Sequence, residues 1–338
     1  LVTTHELTGN EVAGKSSNEK YAAIKAKEIL VDKRKGNIDY MVVTSCDADT
    51  IFPKKFFAAL SFKFLDDPER YNRFWQGPIF YYNNIWELPA LTRVPNTLGS
   101  IYHLSAISRR DRLINMSTYS LSFKLLDEVG YWDADKIPED WGLFFKAYYK
   151  KRGRLEVEPI YMPIHVNAPQ STSVWKTLKN QYEQYKRWAW GASDDPWIIK
   201  NYFFVPGVPF WDKTMRLMHV LWSHFMWPVN WFIITIGLTL PSLLNPRFAR
   251  TALGYSVPKL SSAVLTVALI FLVIMLIFDN IYKPKRPEKV PFWRALLMPF
   301  EFVLMPIAGF FFTALPGLDA HTRLMLGKYI EYRVTEKV

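Results

Sequence analysis

The chain has a single cysteine, Cys46, among its 338 residues. One cysteine excludes an internal disulfide framework and fits a reducing compartment such as the cytoplasm. Because Cys46 ends an apolar run, we expect it to be a small buried strand residue rather than a reactive thiol. Residues 1–20 also lack a secretory signal pattern. The first residue is Leu1 rather than Met, which predicts that the chain is part of a longer protein.

Several chemical signatures are absent as well. The chain has no Gly-x-Ser-x-Gly turn, which argues against Ser-His-Asp hydrolysis. His219 and His224 lie five residues apart without a neighbouring carboxylate in the sequence, so we expect packing or interfacial roles rather than metal binding. The net charge is +11, yet no basic stripe or known binding motif accompanies it. Nucleic acid is therefore not expected as a partner.

The positive charge is concentrated beside hydrophobic segments. Residues 201–338 contain 14 Lys+Arg and 7 Asp+Glu, a net charge of +7, whereas the first 200 residues carry +4. Basic residues that flank apolar segments are placed to meet anionic lipid headgroups. Membrane lipid is therefore an expected partner.

Three apolar segments are long enough to cross a bilayer: 217–240, 260–278 and 295–318. The basic loop 283–289 marks the cytoplasmic side, because Lys and Arg are enriched there. A third crossing would place a tail containing Arg323, Lys328, Arg333 and Lys337 outside, against this rule. The sequence therefore favours a re-entrant third segment.

Glu301 lies inside the third apolar segment, which Pro299 and Pro306 interrupt. A carboxylate at membrane depth must face protein or water, and such a residue is a candidate for function. The alternative is an interfacial position next to Arg294. The sequence leaves both open.

Strands and helices alternate in the first 190 residues, which predicts a mixed α/β sheet. Ser16, Ser17 or Asn18 is expected to cap the first helix. The run 84–107 is ambiguous, and a helix against the membrane surface is one interpretation. Helices are predicted over 19–33, 54–65, 120–129, 141–149 and 173–190, and strands over 40–46, 74–82 and 155–163.

Two carboxylates one residue apart follow the first strand. Its β-branched composition predicts a buried parallel strand, and α/β sheets bind ligands beyond the carboxyl ends of their strands. Asp47 and Asp49 can therefore turn toward one Mg²⁺ or Mn²⁺ ion, held together with substrate phosphates. Asp133 and Asp135 form the same Asp-Ala-Asp sequence but follow a predicted helix, so we expect them to be surface loop residues.

A second acidic pair, Glu139 and Asp140, follows Pro138 and opens a predicted helix. Acidic residues favour a helix first turn because of the helix dipole, so one interpretation is capping. The other is that this pair belongs to the same site as Asp47 and Asp49.

Gln184, Arg187 and Trp188 occupy positions i, i+3 and i+4 of the helix predicted over 173–190, so they share one face. An amide, a guanidinium and an indole can bind a diphosphate and stack on a sugar ring. The alternative is an amphipathic helix whose arginine snorkels at a membrane surface.

In this order, the motifs resemble those of the membrane-embedded family 2 glycosyltransferases, which include cellulose, chitin and hyaluronan synthases. Further similar stretches are 14–18, 75–78, 81–83 and 121–132, and the resemblance covers roughly residues 8–330. Two positions depart from the pattern. Pro138 stands where threonine is usual, and Tyr185 stands where a second Gln or Arg is common, which bears on the type of acceptor.

The resemblance implies an α/β, GT-A-like mixed sheet with flanking helices, incomplete at the N-terminus, over residues 1–170. An interfacial helix region over 171–212 and a transmembrane region of two to three spans with a short tail over 213–338 would follow.

The resemblance also implies inverting sugar transfer from a nucleotide-diphosphate donor at the cytoplasmic membrane face. Asp47 and Asp49 would hold the diphosphate and a divalent cation, Mg²⁺ or Mn²⁺. Asp140 would be the general base with Glu139 as its neighbour. The donor and acceptor would also contact Lys15, Gln184, Arg187 and Trp188.

The sequence does not determine the type of acceptor. The Gln-x-x-Arg-Trp motif favours elongation of a glycan, including processive polysaccharide synthesis, whereas the few spans favour a lipid phosphate carrier or a short glycan. A non-catalytic membrane transport or scaffold subunit is the alternative from another class. The retained acidic motifs argue against it, because a scaffold has no need for them.

Overall fold

The computed structural model describes residues 2–332 and 335–336, so Arg333 and Lys337 of the predicted tail lie outside the described residues. The strands are β1 Val42–Ser45, β2 Arg73–Gln76, β3 Ile79–Phe80, β4 Tyr119–Ser122, β5 Glu156–Pro159 and β6 Ile164–His165. The helices that surround them are α1 Lys15–Ala26, α2 Phe56–Asp66, α3 Ala90–Ala106, α4 Phe123–Glu128, α5 Asp140–Lys150, α6 Val174–Ala189 and α7 Asp195–Phe204. The C-terminal helices are α8 Phe210–Phe232, α9 Leu240–Leu244, α10 Pro246–Ala249, α11 Ala252–Tyr282, α12 Phe292–Leu297, α13 Met305–Gly309 and α14 Leu315–Met325.

Four strands form a mixed sheet in the order β1-β4-β2-β5, and β3 pairs with β6 in a second, two-stranded sheet. Strand β4 runs antiparallel to both β1 and β2, and β2 is parallel to β5. Strands β1, β2 and β5 therefore point the same way, and their carboxyl ends meet at one edge with the start of β4. The expected mixed sheet with flanking helices, followed by a helical region, is confirmed.

Strand β1 was predicted as a buried parallel strand, and this is wrong in two respects. It pairs antiparallel with β4, with Val43 opposite Leu121, and most of its residues are only half-buried. Cys46, which follows it, is exposed rather than buried. A short β-branched run favours a strand, but it does not distinguish the centre of a parallel sheet from its end.

The predicted helix 120–129 is also partly wrong. Residues Tyr119–Ser122 form β4, which is buried throughout and hydrogen-bonds to two neighbouring strands. Only Phe123–Glu128 is helical, and the Ser122 hydroxyl accepts the Leu125 N–H at 3.0 Å as an N-cap. Ser122 is therefore both the last residue of the central strand β4 and the N-cap of α4, and the helix begins with no loop between them.

Helix α1 begins earlier than predicted, at Lys15, with Gly14 as its N-cap. Ser16 and Ser17 do not cap it, because both are buried inside its first turn and donate to the carbonyls of Asp133 and Val12. The Ser16 bond fastens the start of α1 to the loop before α5, and the Ser17 bond holds the segment that leads into α1. Lys15 is thereby held at the edge where β1 ends.

The main core lies between the four-stranded sheet and the helices α4 and α5. Phe74, Leu121, Phe144 and Val157 are all essentially inaccessible to solvent there. Burying such side chains contributes about 2 kcal/mol each. This packing fixes the start of α5 against the carboxyl edge of the sheet.

Two helical segments among the described residues are long and apolar enough to cross a membrane: Ala252–Tyr282, with mean hydropathy 2.8, and Phe292–Met325, with mean hydropathy 1.9. The predicted span 217–240 is mostly helical but does not reach that level, since His219, His224 and Asn230 lower its hydropathy. Segment Phe292–Met325 is broken into α12, α13 and α14 by short 3₁₀ and π turns. Its prolines explain the breaks.

Glu301, in this broken segment, faces protein. Both of its carboxylate oxygens lie 2.5 Å from Nη1 of Arg93 on α3, which is 3% exposed. The Arg93 guanidinium also donates to the carbonyls of Ile85 and Leu88. The partner is therefore Arg93 rather than Arg294, and the pair joins the α/β domain to the broken segment.

We expect Glu301→Ala to destabilise the folded protein by about 3 kcal/mol, because it leaves the Arg93 charge buried without a carboxylate. The double variant Arg93→Met with Glu301→Leu should recover most of this loss, since apolar side chains replace both charges. Thermal unfolding in detergent measures both variants. A double variant less stable than Glu301→Ala would contradict this assignment.

The basic loop 283–289 packs directly on the α/β domain. The Trp86 indole N–H donates to the Pro284 carbonyl at 3.0 Å, and Lys289 pairs with Glu87 at 2.5 Å. The α/β domain therefore lies at the C-terminal end of helix α11, where this loop begins.

Candidate active site

Lys15 lies at the centre of an acidic group at the carboxyl edge of the sheet. Its Nζ atom lies 3.3 Å from Oδ1 of Asp47 and 3.1 Å from Oε1 of Glu139, and it donates to the Ser117 carbonyl at 2.6 Å. Burial lowers the pKa of Lys15, but the charges of Glu139, Glu19 and Asp47 outweigh burial and raise it well above its usual value. Lys15 is therefore a permanent cation that joins two acidic motifs far apart in sequence.

Glu19 is a member of this group that the sequence motifs did not reveal. Its Oε1 accepts the Ser45 hydroxyl at 2.6 Å and lies 3.9 Å from Lys15 Nζ. Burial raises the pKa of Glu19 to about 8. The signal available in the sequence was its spacing of four residues from Lys15 on one helix face.

Glu19→Gln is expected to stabilise the protein at pH 8–9 and to leave its stability at pH 5 nearly unchanged. A carboxyl whose folded pKa is raised binds protons on folding, so its contribution to stability is present below pH 4.5 and is lost as pH rises toward 8. The gain at high pH should be at least about 1 kcal/mol, the equivalent of one pKa unit. Melting temperatures of both proteins across this range measure it, and parallel pH profiles would contradict the role of Glu19.

The Asp140 carboxylate is oriented by two backbone donors at the start of α5. Oδ2 accepts the N–H of Ser117 at 2.9 Å, and Oδ1 accepts the N–H of Trp141 at 2.8 Å. Burial raises the pKa of Asp140, although these hydrogen bonds oppose the shift. The N-cap of α5 is Glu139, and no side-chain cap hydrogen bond forms there, so the bond from Trp141, one residue after Asp140, is not a capping contact. The bond from Ser117 links Asp140 to the Lys15 group.

Asp47 and Asp49 occupy the turn after β1. Oδ2 of Asp47 accepts the Ser117 hydroxyl at 3.2 Å, while Oδ2 of Asp49 accepts the Asn167 N–H at 2.6 Å. No group of three or more His, Cys, Asp and Glu residues able to hold a metal ion occurs within the described part of the chain. Two carboxylates nonetheless provide the hard oxygen ligands that Mg²⁺ and Mn²⁺ take together with phosphate oxygens, so the donor set fits such a cation.

The second Asp-x-Asp pair lies outside this group. Asp135 is exposed, as expected, but Asp133 is half-buried and pairs with Lys146 at 2.6 Å and Lys136 at 3.4 Å. Asp133 is therefore a partly exposed loop residue whose carboxylate forms ion pairs. Its ion pairs fasten the loop before α5.

Helix α6 forms a second wall of the site. Gln184 is 4% exposed, and no hydrogen-bond partner for its Oε1 is found within residues 2–332 and 335–336. The Arg187 guanidinium lies 5.1 Å from the ring centroid of Tyr332 and donates to the Thr335 hydroxyl at 3.2 Å. The Trp188 ring packs 4.9 Å from that of Tyr185.

Two tyrosines that the motifs did not single out as site residues lie between these walls. The pKa of Tyr81 is raised by burial and by the nearby charges of Asp47, Asp49 and Asp140, and its ring lies 5.9 Å from that of Trp188. Tyr332, in the C-terminal tail, packs against Gly14, where a Cβ atom would approach its ring to 3.1 Å. The acidic edge and α6 therefore face one another across aromatic side chains.

The family described as glycosyl transferase family group 2 matches residues 42–279, which includes β1, the Asp47 turn, α5 and α6. No curated protein matches the chain.

Proposed function

The chain belongs to glycosyl transferase family group 2, and on this basis we propose that it transfers a sugar, with inversion, from a nucleotide-diphosphate donor to a glycan acceptor. One observation carries the proposal. Asp47, Glu139 and Asp140 come from motifs about ninety residues apart, yet they meet around Lys15 and Ser117. Such a concentration of carboxylates at the ligand-binding edge of a sheet fits a catalytic site.

Asp140 acts as the general base in this proposal. It removes the proton from an acceptor hydroxyl as that oxygen bonds to the anomeric carbon of the donor sugar, and the bond to the diphosphate breaks with its electrons leaving on the nucleotide. Burial raises the pKa of Asp140, which makes it a stronger base than an exposed aspartate. The two backbone N–H donors hold the carboxylate in one orientation.

The donor diphosphate is assigned to the Asp47 turn and to Arg187. Asp47 and Asp49 would hold a Mg²⁺ or Mn²⁺ ion, which neutralises charge on the leaving nucleotide when it is bound. Lys15 fixes the position of Asp47, and its charge favours a diphosphate nearby. The planar guanidinium of Arg187 is suited to two phosphate oxygens at once, and Gln184 supplies an amide from the same helix.

Trp188 and Tyr81 are assigned to the acceptor sugar. Their rings are close together, and aromatic faces stack on the apolar faces of sugar rings. The charges of Asp47, Asp140 and Asp49 contribute to the raised pKa of Tyr81, which supports an acceptor site next to these carboxylates.

We assign the α/β domain to the cytoplasmic face of a membrane. The support comes from the contact of the basic loop 283–289 with Trp86 and Glu87, because such loops concentrate on the cytoplasmic side. Helix α11 and the broken segment Phe292–Met325 would lie in the bilayer, where almost all of the apolar surface of α11 would contact lipid.

Product analysis tests the acceptor. Membranes containing the full protein are incubated with radiolabelled sugar nucleotides, and the products are separated into lipid-extractable and glycan fractions. A ladder of glycans supports the proposal, whereas a single lipid-linked sugar would show transfer to a lipid phosphate carrier. Failure to incorporate label from any donor would favour a non-catalytic membrane subunit.

A further inference from the structure

His224 has the carboxylate partner that its sequence neighbourhood does not show. Its Nδ1 atom lies 2.7 Å from Oδ1 of Asp195, and the residue is 7% exposed. A carboxylate only accepts hydrogen bonds, so Nδ1 carries the proton in this contact.

The other contact of the His224 ring leads to the acidic motif. The ring lies against the indole of Trp141, with 5.3 Å between centroids and 32° between planes. Trp141 follows Asp140 in the chain, and its backbone N–H is one of the two donors that orient the Asp140 carboxylate. Asp195, His224 and Trp141 therefore form a continuous chain of contacts that ends at Asp140.

Asp194, the residue before Asp195, contacts the loop that precedes α5. Asp194 is 3% exposed and pairs with Lys136, four residues before Asp140, at 3.0 Å. A Cβ atom at Gly142 would lie 3.1 Å from Asp194 Oδ2, so the glycine permits this close approach to the first turn of α5. Asp194 ends the short 3₁₀ turn that follows α6, the helix that carries Gln184 and Arg187, and Asp195 begins α7.

We propose that His224 and Asp195 are a positioning pair that holds Trp141, and through it the Asp140 carboxylate, in the orientation needed for proton transfer. The pair ties the acidic motif to the start of α7 and to α8, and one 3₁₀ turn joins α7 to α6, so that the general base keeps a fixed position relative to the donor-binding face of α6. This inference rests on the proposed function, because it assigns the proton transfer to Asp140. A small displacement of a catalytic group lowers the reaction rate strongly. Loss of the pair should therefore change kcat more than substrate binding.

The test is a double-variant cycle between His224 and Asp140 in the full-length protein. His224→Ala should lower kcat for transfer about tenfold, while KM for the sugar nucleotide changes less than twofold. In the Asp140→Asn background, His224→Ala should cause no further loss, because there is no base left to position. Single-turnover transfer of labelled sugar provides the sensitivity that this background needs.

The controls separate positioning from general stability. His219→Ala changes a half-buried histidine on the same helix and should leave kcat within twofold. If His224→Ala does not fold, His224→Asn takes its place in the cycle, because it keeps a donor for Asp195 but removes the ring that packs on Trp141. An unchanged kcat in the folded His224 variant, or the same tenfold loss in the Asp140→Asn background, would overturn the proposal. A wild-type protein without transfer activity would instead contradict the proposed function itself.

Discussion

Asp140→Asn is expected to slow sugar transfer by about a hundredfold to ten-thousandfold, the usual range for loss of a general base. The amide is as large as the carboxylate, but it cannot accept the proton of an acceptor hydroxyl. Asp140 also titrates, so the wild-type transfer rate should rise with pH as its carboxyl ionises. Burial raises the pKa of Asp140, which shifts this rise above the range of an exposed aspartate.

The same substitution should change stability little. Both carboxylate oxygens accept backbone N–H groups, from Ser117 and Trp141, and asparagine keeps only one acceptor oxygen. The lost hydrogen bond costs about 1 kcal/mol. Removing a buried charge with a raised pKa offsets part of that cost.

Transfer rate and melting temperature measured on the same preparation therefore distinguish catalysis from a structural role of Asp140 in the first turn of α5. Asparagine is as large as aspartate and keeps one acceptor oxygen, so a structural residue would lose little of either property. Near-normal transfer by Asp140→Asn would assign this residue a structural role and remove the base from the mechanism.

The second large effect is expected from the paired replacement of Asp47 and Asp49 by asparagine. A bound divalent cation stabilises the leaving diphosphate by several kcal/mol, and each 1.36 kcal/mol changes the rate tenfold. Donor cleavage should therefore fall at least about a hundredfold. Loss of the ion pair between Asp47 and Lys15 should cost about 1 kcal/mol of stability or less, because the Asp47 side chain is 34% exposed.

Excess chelator acting on the wild-type protein should reproduce this loss, and added Mn²⁺ or Mg²⁺ should restore activity. Asp135→Asn is the matched control, since Asp135 belongs to a second Asp-x-Asp sequence but is exposed and lies outside the Lys15 group. Full donor cleavage by the double variant, or in chelator, would remove the metal role.

The sequence predicts the class of fold and the chain segments that approach the site, but not the order of strands. The run before Asp47 predicts a strand because β-branched residues favour one. Strand β4 was missed because Leu121, Leu125 and Leu126 also satisfy helical spacing, and only the cap at Ser122 separates the two elements. Such a four-residue strand is stabilised by pairing on both sides, which no local pattern encodes.

The sequence predicts those site residues that form motifs, and it gives no signal for the others. Asp47, Asp49, Glu139 and Asp140 stand out because acidic pairs follow a strand or open a helix. Ser117 has no such signal, although its backbone and hydroxyl contact three members of the group. Tyr332 reaches the site from a tail more than 140 residues after α6 begins, and Asp195 meets His224 only through tertiary packing.

Release of nucleotide diphosphate from a panel of sugar nucleotides, measured on membranes that contain the full-length protein, tests the central claim most directly. We predict release from one or a few donors, dependent on Mg²⁺ or Mn²⁺ and lost when Asp47 and Asp49 are both replaced by asparagine. Absence of release from every donor, or release that the double variant leaves unchanged, would contradict glycosyl transfer at this site.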